Sequence, residues 1–215
     1  MLSKCESQIQ NLQKINQKEN KMKLMFVSDI HGSYADLQQV FDVFQKEKAD
    51  KLIILGDYLN HGPRNPLPQS YDTKKCAELL NSNKTSIIGI KGNCDSEVDQ
   101  MMLDFSVLEP TSRIFLFDNS SDSSSEICLF LHHGHQFTEE KLISILPKNS
   151  VVLSGHTHIP VLYEKEQLIF VNPGSISIPK SEDGKCYGII EVQESKKSIE
   201  IKGLFDLEQK KCLLF

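Results

Sequence analysis

From Lys23 onward, apolar and polar positions alternate between short strand-like runs and amphipathic helical stretches. Leu24–Val27 precedes a segment from Tyr34 to Gln45. There Leu37, Val40, Phe41 and Phe44 stand at i, i+3, i+4 and i+7 and make one apolar stripe. Leu52–Leu55 reads as a second strand and Thr73–Asn81 as a second helix, with Cys76, Leu79 and Leu80 inward; Ser86–Ile90 is a third strand. The second half is richer in strands: Arg113–Phe117, Ile127–Leu131, Val151–Leu153, Val161–Tyr163, Leu168–Val171, Tyr187–Val192 and Ser198–Ile201. Thr138 stands where it can cap a helix running to Leu146, with Glu139 and Glu140 in its first turn. Early strand–helix units followed by strand pairs predict an α/β fold of two packed sheets with helices outside.

Three segments break the pattern. Leu59–Ser70 is too rich in proline and asparagine for regular structure. Asp118–Glu126 is a Ser/Asp stretch that reads as an exposed hairpin or loop. Residues 1–21 are polar, with Leu2, Ile9, Leu12 and Ile15 as their main apolar content, and are expected to be a flexible extension of a domain spanning 22–215.

Composition narrows the function classes. A net charge of −5, only two arginines and no basic stripe argue against a nucleic-acid groove. No apolar run reaches the ~18 residues of a membrane span, and the N-terminal region lacks a signal-peptide pattern. The six cysteines include no CxxC pair, which favours a reduced, cytoplasmic protein.

The candidate chemistry lies just after the apolar runs, in the turns SDIHG, LGDYLNHG, KGNCD, LHHGH and SGHTH. They supply Asp29, His31, Asp57, Asn93, His133, His156 and His158, all competent metal ligands. Ligand-type residues at the carboxyl ends of successive strands can build a site along one sheet edge. Side chains two apart on an extended segment point the same way, so Asp29 with His31, and His156 with His158, are each expected to converge. A mixed oxygen and imidazole shell without thiolate suits Mn, Fe, Zn, Co or Ni better than Mg or Ca.

The ordered set D-x-H, G-D, G-N-C-D, H-G-H and G-H-T-H resembles the calcineurin-like metallophosphoesterase family, and most closely its YfcE-type small phosphodiesterases. Longer strings match that type as well: KLMFVSDIHGS, LGDYLNHGPRN, GNCDSEVDQM, GHTHIPV and NPGSISIPK. The resemblance covers about residues 22–200. It implies a four-layer αββα sandwich and two divalent metal ions, with Mn²⁺ favoured over Zn²⁺, Fe, Co²⁺ or Ni²⁺. One ion would be held by Asp29, His31, Asp57 and His158, the other by Asp57, Asn93, His133 and His156, with Asp57 bridging. His133 rather than His132 is chosen because it begins H-G-H. The activity implied is hydrolysis of small phosphodiester substrates by attack of a metal-bridging hydroxide. Many family members carry histidine where this chain has Cys94. A thiol with a reference pKa of ~8.5 is the weaker proton donor, which favours diesters over monoesters. Asp95 is expected to fix the loop, and Arg64 and His61 to contact a non-reacting phosphate oxygen or the ester group. His135 is expected to orient a ligand or serve structure. A homo-oligomer is also expected. The competing reading is a protein-binding scaffold of the same fold, like the retromer subunit, and the retained Asp57 speaks against it.

Overall fold

The computed structural model describes residues 22–117, 126–193 and 196–215. The expected extension at 1–21 and most of the Ser/Asp stretch lie outside the described residues. In chain order the first half contains β1 (Met22–Val27), α1 (Tyr34–Glu47), β2 (Lys51–Ile54), α2 (Thr73–Ser82), β3 (Ile87–Gly89), α3 (Glu97–Met102) and β4 (Thr111–Phe117). The second half contains β5 (Glu126–His132), α4 (Glu139–Ile145), β6 (Val151–Leu153), β7 (Pro160–Lys165), β8 (Leu168–Pro173), β9 (Cys186–Gln193), β10 (Lys196–Gly203) and β11 (Gln209–Leu214).

One sheet has the order β11-β10-β9-β1-β2-β3, the other β4-β5-β6-β8-β7. Both are mixed. β1, β2 and β3 run parallel, while β9 is antiparallel to β1. β5, β6 and β8 run parallel, flanked by antiparallel β4 and β7. Strand pleat divides the side chains between layers. Leu24 and Phe26 face the second sheet, against Leu129, Leu131, Val151 and Val171. Met25 and Val27 face the other way, against the Leu37–Val40–Phe41–Phe44 stripe of α1 and Cys76, Ala77 and Leu80 of α2. On the far side of the second sheet, Phe130, Val152 and Phe170 pack on Leu142 and Leu146 around α4. The result is the four-layer αββα sandwich. Gly188, opposite Phe26 on β9, is required by this packing, because a Cβ there would lie 1.9 Å from the Phe26 ring.

Two elements escaped the sequence pattern. α3 has only six residues, and its Val98, Met101 and Met102 are exposed, so it shows no inward stripe. What starts it is a capping box between Ser96 and Asp99. β11 is an edge strand beginning Gln-Lys-Lys, a polar sequence that blunts both the edge and the hydrophobic signal. Thr138 caps α4 as expected, accepting from the Lys141 amide at 3.3 Å.

Candidate metal centre

The loops after β1, β2, β3, β5 and β6 meet along one edge of the two sheets. Parallel pairing continues past the ends of β1 and β2. The amides of Asp29, Ile30, His31 and Gly32 donate to the carbonyls of Gly56, Asp57, Asp57 and Tyr58 at 2.9–3.2 Å. This zips the D-x-H and G-D turns side by side. Asp29, His31, Asp57, His156 and His158 all have left-handed backbones, with φ between 48° and 71°. Non-glycine residues adopt that region at a cost and only where surroundings enforce it. Asp29 and His31 therefore converge through a left-handed turn rather than through the extended backbone expected from the sequence. The enforcement at Asp29 is visible: Ser175 and Ser177 hydroxyls both donate to its carbonyl at 2.8 Å.

The geometry brings all seven candidate ligands together in two adjoining groups. In the first, His158 Nε2 lies 3.2 Å and His31 Nε2 3.5 Å from Asp29 Oδ1, and the two ring nitrogens are 3.3 Å apart. In the second, His133 Nε2 lies 3.1 Å from Asn93 Oδ1, and His156 Nδ1 lies 2.6 Å from the same oxygen. Asp57 Oδ2 stands between the groups, 3.7 Å from His31 Nε2 and 3.4 Å from His133 Nε2. His156 and His158 thus separate into different groups, against the expectation that their spacing makes them converge.

The rings are oriented from behind. His31, His133 and His158 each place Nδ1 on a backbone carbonyl, those of Asn60, Leu55 and Ile178, at 2.6–2.8 Å. Donation there leaves Nε2 as the free ligand nitrogen. Asp29 Oδ1 is fully buried with no hydrogen-bond partner, although three imidazoles surround it. An unsatisfied buried carboxylate oxygen is costly unless a cation completes its shell. The donor set and this orphan oxygen fit a divalent metal. Asp29, His31 and His158 are one three-ligand group, and Asp29, Asp57 and His133 another.

The electrostatics agree. Burial alone would raise Asp29 and Asp57, but the neighbouring imidazoles hold both carboxyls below the usual range. Burial would lower His133, yet the Asp57 carboxylate and the Asp29 charge raise it to about 9. Asp95 faces backbone rather than the cavity. Its carboxylate accepts from the amides of Asp57, Tyr58 and Gly92 at 2.6–2.8 Å, tying the G-D and G-N-C turns together. Burial first and the Asp57 charge second push Asp95 up to about 7, against those three donors. Gly92 is needed for this approach, since a Cβ would stand 2.1 Å from Asp57 Oδ1.

The remaining candidates are placed as follows. Cys94 lines the cavity, donates its amide to Asp57 Oδ1 at 2.8 Å and is pushed up to about 12 by burial and the Asp57 charge. Arg64 lines the same cavity, of about 680 Å³. His61 does not line it; its ring packs edge-on against Tyr71 at 5.5 Å. His132 points to the opposite face of β5, between Phe130 and Phe137, where burial lowers it to about 4. His135 packs edge-on against His133 and tilted against His156, with ring centroids 5.5 and 5.8 Å apart. Sequence reasoning missed Ser175, Ser177 and Lys180. The first two stand in NPGSISIPK directly after β8, where alternating serines beside a sheet edge were the available signal.

Known proteins are similar to this chain in sequence and fold. The calcineurin-like phosphoesterase superfamily domain matches residues 22–195. Phosphodiesterase YfcE of Escherichia coli K12 is 45% identical over 170 residues, covering 79% of this chain and 88% of that protein. A solved structure of Yfce, a phosphoesterase from E. coli, superposes with a TM-score of 0.80 at 41% identity over 89% of this chain and 98% of its own. Wild-type Vps29 of Entamoeba histolytica complexed with Zn²⁺ shares the fold, with a TM-score of 0.57 at 21% identity over 90% of this chain and 98% of its own. The motif loops at the sheet edge and the extent of these matches lead to one assignment: the chain belongs to the calcineurin-like phosphoesterase superfamily.

Proposed function

We propose that this protein is a dinuclear metal-dependent phosphodiesterase acting on small substrates in the cytoplasm. The observation that carries the reading is the pair of adjoining ligand groups with the Asp57 carboxylate between them, and Asp29 Oδ1 lacking a hydrogen-bond partner. Asp29, His31, Asp57 and His158 would hold one divalent cation; Asp57, Asn93, His133 and His156 would hold the other. Two such ions, Mn²⁺ foremost with Zn²⁺, Fe, Co²⁺ or Ni²⁺ as alternatives, would supply an ionised water as nucleophile and would neutralise the non-bridging phosphoryl oxygens.

The chain's own residues supply position and exclusion. The three carbonyl-anchored rings are fixed in orientation, and Asp95 holds the two loops in register. Arg64 would face a phosphate oxygen or the ester group. Cys94, held as a neutral thiol, is a poor proton donor, so esters with good leaving groups are favoured. Five cysteines among the described residues are free, which supports a reducing compartment, and no described helix is long and apolar enough to cross a membrane.

The test is hydrolysis of bis(4-nitrophenyl) phosphate with added Mn²⁺ by the native protein, Asp57→Ala and His133→Ala. Loss of turnover in both variants is expected. Equal rates in all three would remove the phosphodiesterase reading and leave the retromer-subunit-like scaffold in its place.

A further inference from the structure

The cavity beside the metal centre carries two cationic side chains, Arg64 and Lys180. Among the described residues neither makes a side-chain hydrogen bond or an ion pair. Both residues are exposed, and no described carboxylate neutralises them, whereas Lys185 pairs with Asp36 and Lys202 with Glu47. Both cations line this one cavity, and each rides on a segment tied to a ring of the same ligand group. The Arg64 loop is anchored through the Asn60 carbonyl on His31 Nδ1 at 2.8 Å. It is closed on itself by Gly62 N donating to Asn60 Oδ1 at 2.8 Å and by Asn65 Nδ2 donating to the His61 carbonyl at 3.0 Å. The Lys180 segment is anchored twice, by the Ile178 carbonyl on His158 Nδ1 at 2.6 Å and by the Lys180 amide on the His158 carbonyl at 3.0 Å.

A lone phosphodiester carries one charge, which a loaded metal centre would already neutralise. Two further cations, Arg64 and Lys180, exceed what such a substrate can match. We infer that these two residues hold a second phosphoryl group, so that the substrate class is a diphosphate diester, two alcohols joined through P–O–P. The inference rests on the phosphodiesterase reading of the same site. A cavity of about 680 Å³ accommodates such a molecule, small-ligand sites spanning roughly 300–1,000 Å³. Arginine offers a fork matched to phosphate, and lysine a point charge.

The chemistry balances. Water adds its oxygen to the phosphorus at the metal centre, and the bond from that phosphorus to the bridging oxygen breaks. The electron pair stays on that oxygen, which departs as part of a phosphomonoester. The protons of water pass to solvent. Arg64 and Lys180 stabilise the charge that grows on the departing phosphoryl group, an interaction stronger in the transition state than in the ground state.

The test compares kcat/KM for diadenosine 5′,5′-diphosphate with that for bis(4-nitrophenyl) phosphate, in the Mn²⁺-loaded native protein, Arg64→Gln, Lys180→Gln and Lys180→Arg. The ratio of the two values is expected to fall about tenfold in each glutamine variant and to recover in Lys180→Arg. Binding of methylenediphosphonate, which cannot be cleaved, should weaken by a similar factor in the glutamine variants, while methylphosphonate binding moves less. A ratio that stays constant across the variants overturns the inference. So does a native protein that cleaves only the singly charged diester, and that result leaves the phosphodiesterase reading standing. A loaded native protein that cleaves neither ester defeats the phosphodiesterase reading itself.

Discussion

The two halves of the metal centre are built differently. In the half made by Asp29, His31 and His158, every member is at most 2% exposed and both rings are pinned through Nδ1 by backbone carbonyls. In the half made by Asn93, His133 and His156, only His133 is treated that way. Asn93 is exposed, and His156 presents Nδ1 to Asn93 Oδ1, its ring unanchored by any carbonyl among the described residues. A ligand already held in place loses little freedom when an ion arrives, whereas a mobile one must be ordered at that moment. The difference teaches that ligand count alone does not rank two sites: on the proposed dinuclear reading the first half would be a preformed cradle, the second a clasp that would close on its ion.

The largest expected effect separates the halves. His31→Ala should abolish the tightly held ion and lower kcat/KM by more than about 100-fold at any metal concentration, since a directly ligating ring should cost more than an outer-shell one. His156→Ala should retain one tightly bound ion per chain and recover much of its rate as Mn²⁺ is raised. Metal content after dialysis, together with rate against metal concentration, decides it. Equal metal loss in the two variants would erase the distinction.

Asp95→Asn sharpens the comparison from outside. An amide cannot accept from all three backbone donors, and its own NH₂ would face one of them. The G-D and G-N-C turns would separate, which displaces Asp57 and Asn93 but leaves the His31–His158 pair on its carbonyls. A loss of about 1–3 kcal/mol in stability is expected, with about a 10–100-fold weaker second ion. Denaturant unfolding and metal calorimetry read the two quantities separately. Weakening of the first ion by the same factor would contradict the idea that the halves are held independently.

Much of this was legible along the chain. The Leu37–Phe44 stripe and the alternating runs place the layers because burial follows a period of 3.6 or 2 wherever one face meets the core. The choice between His132 and His133 follows the same parity. Leu129 and Leu131 face the other sheet, so the chain delivers His133 to that side and His132 to the side of Phe130. The left-handed turns were not legible, because Asp and His carry no Cβ signal for positive φ comparable to glycine's. The anchoring carbonyls of Asn60, Leu55 and Ile178 were hidden for a simpler reason: every residue has one, and only register decides which is used. α3 was invisible because its stripe faces water.

The smallest expected effect is a proton count. In the metal-free protein His133 is raised from its ordinary 6.5 to about 9, and His31 is raised as well, by carboxylates that outweigh burial. His156, which burial lowers, carries no such proton. A group that binds its proton more tightly when folded stabilises the fold below its ordinary value, so the His133 contribution is full below pH 6.5 and fades as pH rises through about 9. A metal ion would take over the same carboxylates and expel the proton, so loading at pH 7 should release about one per chain from His133, and metal affinity should rise with pH until His133 is neutral. Calorimetric titration in two buffers of different ionisation enthalpy measures the release directly. His156→Ala should leave the count unchanged and His133→Ala should reduce it by about one. A release near zero in the native protein would mean that the carboxylates are not holding His133 charged, and the electrostatic difference between the two rings of the clasp would be lost.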